Sequence, residues 1–123
     1  WLAILNQEVG MNFEDEHCVP CRSGSASLSV RERNRFLKSV PEWHISDQTP
    51  LRLMRIFRFA SYAQAVLFTN QLTMIAENED HHPKIILEWG SVQVEWWTHA
   101  VSGLHRNDFV MAAQSDALYQ VEL

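Results

Sequence analysis

Apolar residues recur along this chain in two rhythms. In "SLSVRERNRFLKSV", Val30, Phe36, Leu37 and Val40 fall at helical spacings, and Ser29 with Glu32 three residues on has the form of a capping box. The helix should stop before Pro41, because the residue preceding a proline is pushed out of the α region. "EWHIS" is then a short strand candidate and "DQTP" a turn. In "LRLMRIFRF", Leu51, Leu53, Arg55, Phe57 and Phe59 share one parity and Arg52, Met54, Ile56 and Arg58 the other, which predicts a mostly apolar face, a mixed one and a hairpin.

The rhythm changes again in "SYAQAVLFTNQLTMIAENED". It begins at a Ser cap, contains no Gly or Pro, and spreads its apolar positions widely around a helix, which predicts the most buried helix of the fold. "KIILEW", the pair "GS" and "VQVEWWT" read as a second hairpin. Val92, Val94, Trp96 and Thr98 lie on its apolar side, and Gln93, Glu95, Trp97 and His99 on a more polar one. After Gly103, Phe109, Val110, Ala113, Ala117 and Leu118 mark a closing helix. The predicted class is α+β: a four-stranded antiparallel sheet with helices packed on one face, in the order α-β-β-α-β-β-α. Short strands leave sheet edges that invite pairing, so a homo-oligomer joined through sheets or helices is expected.

Composition narrows the class. With 123 residues, 46% of them hydrophobic, the chain has enough apolar material for one core, assigned to residues 28–123. Residues 1–27 lack periodicity and read as a flexible N-terminal arm; Met11 would be a natural internal start, and residues 1–10 are set aside from the fold. A formal net charge of −5 provides no positive field for phosphate backbones, which argues against direct nucleic-acid binding. No run approaches the about 18 apolar residues needed to cross a membrane, and a soluble, cytoplasmic protein is expected. The arm holds Cys18 and Cys21 as C-x-x-C, but zinc needs four ligands and only His17 lies near as a third, so incidental thiols are the favoured reading.

The chemistry gathers late in the chain. Glu77 precedes His81 by about one helical turn, near where the helix should fray, so a carboxylate can reach the loop histidines. His82 is held extended by Pro83, and neighbouring side chains in an extended pair point apart. That geometry opposes chelation of one ion by His81 and His82 and suits two different jobs. His99 closes the second hairpin, where a sheet end can return it toward "HHP". Each residue also has a plainer reading. The histidines can compensate a helix C-terminus, Asp108 can sit in a helix first turn, and Trp43, Trp89, Trp96 and Trp97 can be core or interface anchors. Together they form a candidate polar pocket suited to acid and base chemistry on a flat, neutral heterocycle.

An acidic residue, three residues, H-H-P, five residues, an aromatic, nine residues, a histidine, and an aspartate nine positions on are met by Glu77, His81, His82, Pro83, Trp89, His99 and Asp108. This pattern resembles the pterin-4a-carbinolamine dehydratase family, and "PEW" around Trp43 and "FTNQLTMIAE" fit it as well. The likeness covers about residues 28 to 121, and "EWGSVQVEWWTHAVSGLHRNDFVMAA" resembles bacterial members that accompany phenylalanine hydroxylase. Lys84 and Ile85 stand where many members have an acidic residue and then an aromatic, and Trp89 where tyrosine is frequent.

The resemblance implies loss of water from 4a-hydroxytetrahydropterin to give quinonoid dihydropterin, with no cofactor and no metal, in support of tetrahydropterin recycling for aromatic amino-acid hydroxylation. It implies His81 and His99 as acid and base, His82 as ring holder or proton-transfer partner, Glu77 and Asp108 as orienting carboxylates, and Trp43, Pro83 and Trp89 in substrate binding. Three rivals are set against it. One is a non-enzymatic, coactivator-type binding protein, another a hydrolytic metal enzyme using His81, His99 and Glu77, and the third a related pterin-cofactor maintenance role.

Overall fold

The computed structural model describes residues 12–20 and 26–122. Helix α1, Val30–Leu37, starts where expected: Ser29 Oγ accepts from Glu32 N at 3.2 Å, and Glu32 Oε1 accepts from Ser29 N at 3.0 Å. It contributes Phe36 to the core and is followed by buried Val40. Strands β1, His44–Ser46, and β2, Arg52–Arg58, form the first hairpin, with His44 opposite Met54. Helix α2, Tyr62–Glu79, is capped by Ser61 Oγ, which accepts from Gln64 N. Strands β3, Lys84–Glu88, and β4, Ser91–Trp96, form the second hairpin, and helix α3, Arg106–Glu122, closes the chain.

The element order is the predicted one. The sheet runs β1-β2-β4-β3, all antiparallel, so each hairpin supplies one central strand and one edge. Leu53 lies opposite Trp96 and Phe57 opposite Val92, which puts these apolar side chains on one face, and α2 and α3 pack there. The turn of the second hairpin falls at Trp89 and Gly90, one residue earlier than "GS": Ser91 already pairs with Glu88 and Arg58. Gly90 has φ +75°, and its carbonyl accepts from Phe59 N at 2.9 Å, while an added Cβ would meet Phe59 O at 3.3 Å. A side chain there would be strained in conformation and crowded in space.

Three expectations need correction. α2 is not the most buried helix: it buries one stripe, Ala65, Phe68, Leu72 and Ala76, and leaves Leu67 and Met74 exposed. α3 takes that place, with consecutive Phe109, Val110, Met111 and Ala112 at most 1% exposed. The physical reason is the second correction. The segment 12–20, expected to be part of a flexible arm, is docked on α3 through Phe13, which is 1% exposed and lies 5.3 Å from the Phe36 ring and 6.2 Å from Phe109. α3 is therefore covered on the side away from the sheet as well. Cys21 lies outside the described residues. Thirdly, the polar side of β4 is not uniformly wet. Glu95 is 2% exposed, because Arg52 Nη1 at 3.0 Å and Gln93 Nε2 at 2.8 Å donate to its carboxylate. Burial works against its ionisation, but those bonds prevail and hold the carboxyl below its ordinary range.

Candidate active site

The site is assembled by the way α2 ends. Asp80 adopts the left-handed conformation, φ 52° and ψ 44°, and the N–H of His81 turns back to the Ala76 carbonyl at 3.1 Å. This closure satisfies an orphan carbonyl of the last turn and leads the chain sharply off the helix axis into the histidine pair. His81 enters beneath the end of the sheet, where its ring stacks on Trp96 at 5.4 Å and an interplanar angle of 23°. Its Nε2 lies 2.7 Å from Asp108 Oδ1.

Asp108 is fully buried, in the first turn of α3. Its second oxygen, Oδ2, accepts from Thr98 Oγ1 at 2.9 Å and from the His105 backbone N–H at 2.9 Å. An ionised carboxylate only accepts, so Nε2 of His81 must carry the hydrogen that faces Asp108. The neutral imidazole then keeps its lone pair on Nδ1, as a base needs. His82, one residue on, makes the same kind of contact outside: its Nε2 meets the Glu77 carboxylate, one turn back on α2. The carboxylates expected near the loop histidines are thus both present, each serving a different ring. His99 sits at the start of a short 3₁₀ turn, His99–Val101, with its ring 5.3 Å from Trp97.

These three imidazoles line one cavity of about 480 Å³, together with Trp97, Thr98, Glu79, Asp80, Asn107 and the docked residues Cys18, Val19 and Pro20. Asp108 lies behind His81, and Glu77 beside His82. Other expected residues are not brought to this cavity. Trp43 is buried on the helix-covered side of the molecule, its ring 5.8 Å from Phe57 and its Nε1 donating to Asp116 at 2.8 Å. Trp89 is 74% exposed at the hairpin turn, separated from the histidine loop by the whole of β3. Pro83 follows His82 without lining the cavity.

Several lining residues carried little signal in the sequence. In the sequence Trp97 reads as a core or interface anchor; its ring lies in the cavity wall, with the guanidinium of Arg52 4.1 Å over it. Glu79 accepts from the Cys18 N–H at 2.7 Å and pairs with His17 Nδ1 at 2.7 Å. Burial opposes its ionisation, but these partners hold the carboxyl below its ordinary value. Burial also lowers the pKa of His105, only partly countered by Asp108, and His81 adds to the lowering. A neutral His105 suits its position, since its Nδ1 accepts from the Asn107 N–H at 3.0 Å. Among the described residues no three His, Cys, Asp or Glu side chains are grouped as a metal site, and no helix is long and apolar enough to cross a membrane.

The fold is α+β, and its cavity gathers three imidazoles, two of them backed by carboxylates. Comparison with known proteins places the chain more narrowly. The family model described as pterin 4 alpha carbinolamine dehydratase matches residues 26–118. A protein of Chlorobium luteolum, provisionally named pterin-4-alpha-carbinolamine dehydratase, is 51% identical over 84% of this chain and 91% of its own length. One of Saccharophagus degradans with the same provisional name is 47% identical over 84% of this chain and 92% of its own. Among solved structures, a transcriptional coactivator/pterin dehydratase from Brucella melitensis matches with a TM-score of 0.71 and 29% identity, covering 75% of this chain and 97% of that one. A pterin dehydratase-like protein described as a RuBisCO assembly factor in the alpha-carboxysome matches with a TM-score of 0.55 and 26% identity, covering 63% of this chain and 89% of that one. The chain belongs to the pterin-4a-carbinolamine dehydratase family.

Proposed function

We propose that this protein removes water from 4a-hydroxytetrahydropterin to give quinonoid dihydropterin, and that the histidine cavity is where it does so. The observation that carries the reading is the convergence of His81, His82 and His99 on one cavity, two of them with one ring nitrogen committed to a carboxylate. The reaction needs a proton delivered to the 4a-hydroxyl as the C4a–O bond breaks, and removal of the N5 proton as the C4a–N5 double bond forms. Imidazoles do both near neutral pH.

In this reading His81 and His99 are the acid and base pair. His82 holds the ring or shares the proton transfer, with Pro83 fixing its backbone, and Asp108 and Glu77 orient the imidazoles. Trp97, in the cavity wall beside His99, takes the aromatic platform role first given to Trp43 and Trp89. The product would return to the tetrahydropterin pool used by aromatic amino-acid hydroxylases, phenylalanine hydroxylase among them. The exposed edges of β1 and β3 favour assembly as a homodimer or homotetramer.

The test is the rate of quinonoid dihydropterin formation from freshly generated 4a-hydroxytetrahydropterin, followed by absorbance. The intact chain should accelerate it, and His99→Ala should lose about 10²- to 10⁴-fold of that acceleration, the usual worth of one acid or base. No acceleration by the intact chain would sink the reading and favour a binding role of the coactivator kind, which needs a docking surface but not carboxylate-backed imidazoles.

A further inference from the structure

The aromatic wall of the cavity has a support that lies outside it. Trp97 lines the cavity beside His99, and the guanidinium of Arg52, the first residue of β2, stands 4.1 Å over its ring without lining the cavity itself. Leu53 and Trp96 are register partners and are buried toward the helices, so Arg52 and Trp97, one position on from each, share the opposite face of the sheet. Glu95 lies on that face as well, between Met54 of β2 and Lys84 of β3.

An arginine on the open face of a sheet ordinarily keeps its charge in water, where an ion pair contributes little. Arg52 and Glu95 depart from this: their side chains are 18% and 3% exposed. Taking an ion pair out of water is costly and is weak evidence of a gain in stability, so stability alone does not account for the pair. Its bonding supplies another reason. Glu95 divides its oxygens, Oε1 accepting from Arg52 Nη1 at 3.0 Å and Oε2 from Gln93 Nε2 at 2.8 Å. The Nε of Arg52 is buried and has no hydrogen-bond partner among the described residues. The guanidinium thus forgoes the two-bond grip on a carboxylate that its shape allows, and stands over an indole instead. That indole flanks the one cavity histidine to which, among the described residues, no carboxylate is paired: Asp108 serves His81 and Glu77 serves His82, while His99 has the Trp97 ring at 5.3 Å.

We infer that Arg52 is a positioning residue of the pterin site: anchored on Glu95, its guanidinium fixes the Trp97 ring as the platform against which the flat pterin binds. This rests on the reading of the cavity as the pterin site and deepens it by naming what holds its aromatic wall. Arg52 moves no proton, so its loss should weaken binding, seen in KM and Kd, and leave kcat nearly unchanged. Lysine is no substitute for it, since an ammonium keeps the charge facing Glu95 but not the planar group that stacks on an indole.

The test is a double-mutant cycle on the full chain, with Arg52→Lys, Trp97→Leu and the two combined. Binding of 7,8-dihydrobiopterin by titration calorimetry, kcat and KM for dehydration of 4a-hydroxytetrahydrobiopterin, and thermal midpoints are measured on each protein. Trp97→Leu should raise Kd and KM by about tenfold, as loss of a stacking ring under a heterocycle does. Arg52→Lys should raise both by about three- to fivefold, with kcat within about twofold in either variant. In the Trp97→Leu background, Arg52→Lys should change Kd by less than about twofold, because the ring it acts through is already gone. A residue that merely stabilises the fold would lower the thermal midpoint and leave Kd unchanged, or would shift Kd equally in both backgrounds, and either result overturns the inference. So does an unchanged Kd for Trp97→Leu. If Arg52→Lys does not fold, the same cycle run with Glu95→Gln, which loosens the anchor of the guanidinium, decides by the same criteria. If the intact chain binds dihydrobiopterin but does not accelerate dehydration, the proposed reaction falls while the Kd values still decide the role of Arg52. If it does neither, the proposed function and this inference fall together.

Discussion

His81 and His82 are neighbours in sequence, and each has a carboxylate against its Nε2, yet the two pairs are built from different physics. In the His81–Asp108 pair the side chains are 13% and 0% exposed, while in the His82–Glu77 pair they are 54% and 69% exposed. Asp108 also satisfies Thr98 and the first turn of α3, so its removal would strand several donors at once. Glu77, largely in solvent, serves His82 alone in the described contacts of its side chain. One pair is part of the fold, its geometry held even without a ligand. The other is an adjustable surface contact, open to rearrangement when a ligand arrives.

The comparison breaks or sharpens in three measurements. Asp108→Ala should show the largest effect: a loss of about 2 to 4 kcal/mol in denaturant unfolding from the stranded buried donors. Its kcat/KM should fall by at least about 100-fold as the His81 tautomer and position are released. Glu77→Gln should cost less than about 1 kcal/mol, as exposed ion pairs do, and change kcat/KM by only a few-fold. Equal losses from the two variants would show that burial is not what separates the pairs.

The smallest effect concerns Glu79, whose carboxyl is held low by His17 and the Cys18 N–H despite its burial. A folded-state value below the unfolded one gives stability that is complete above the ordinary glutamate range and is lost as pH falls through the lowered value. Exchange of the Cys18 amide, corrected for its intrinsic rate, should therefore quicken on acidification before that of residues in β4. Unchanged protection at acid pH would mean that Glu79 does not hold the Cys18 N–H.

What was legible in the sequence was local or periodic. Ser29 and Glu32 cap α1 because the partners lie one turn apart, and alternation in β2 and β4 sorted Leu53, Phe57, Val92, Val94 and Trp96 correctly onto one buried face. The partnership of His81 with Asp108 joins residues far apart in the chain, and no periodicity announces it; only the spacing shared with a family pointed there. Phe13 was missed because one apolar residue inside "NFEDE" has no rhythm, and its burial is created by Phe36 and Phe109. Trp43 does not line the cavity. It precedes a strand of three residues, too short for alternation to say which side its ring takes.

The docking of Phe13 on Phe109 also sets an order of events during synthesis. Segment 12–20 is made well before Arg106, Asn107 and Phe109, to which it fastens. Until then its apolar ring has Phe36 but not Phe109 to pack on, and the loop closure that joins the segment to α3 is still to be paid in entropy. A chain made only as far as β4 can already hold both hairpins, but it lacks the α3 residues that hold segment 12–20 at the cavity. Completion of the site thereby waits on the synthesis of α3.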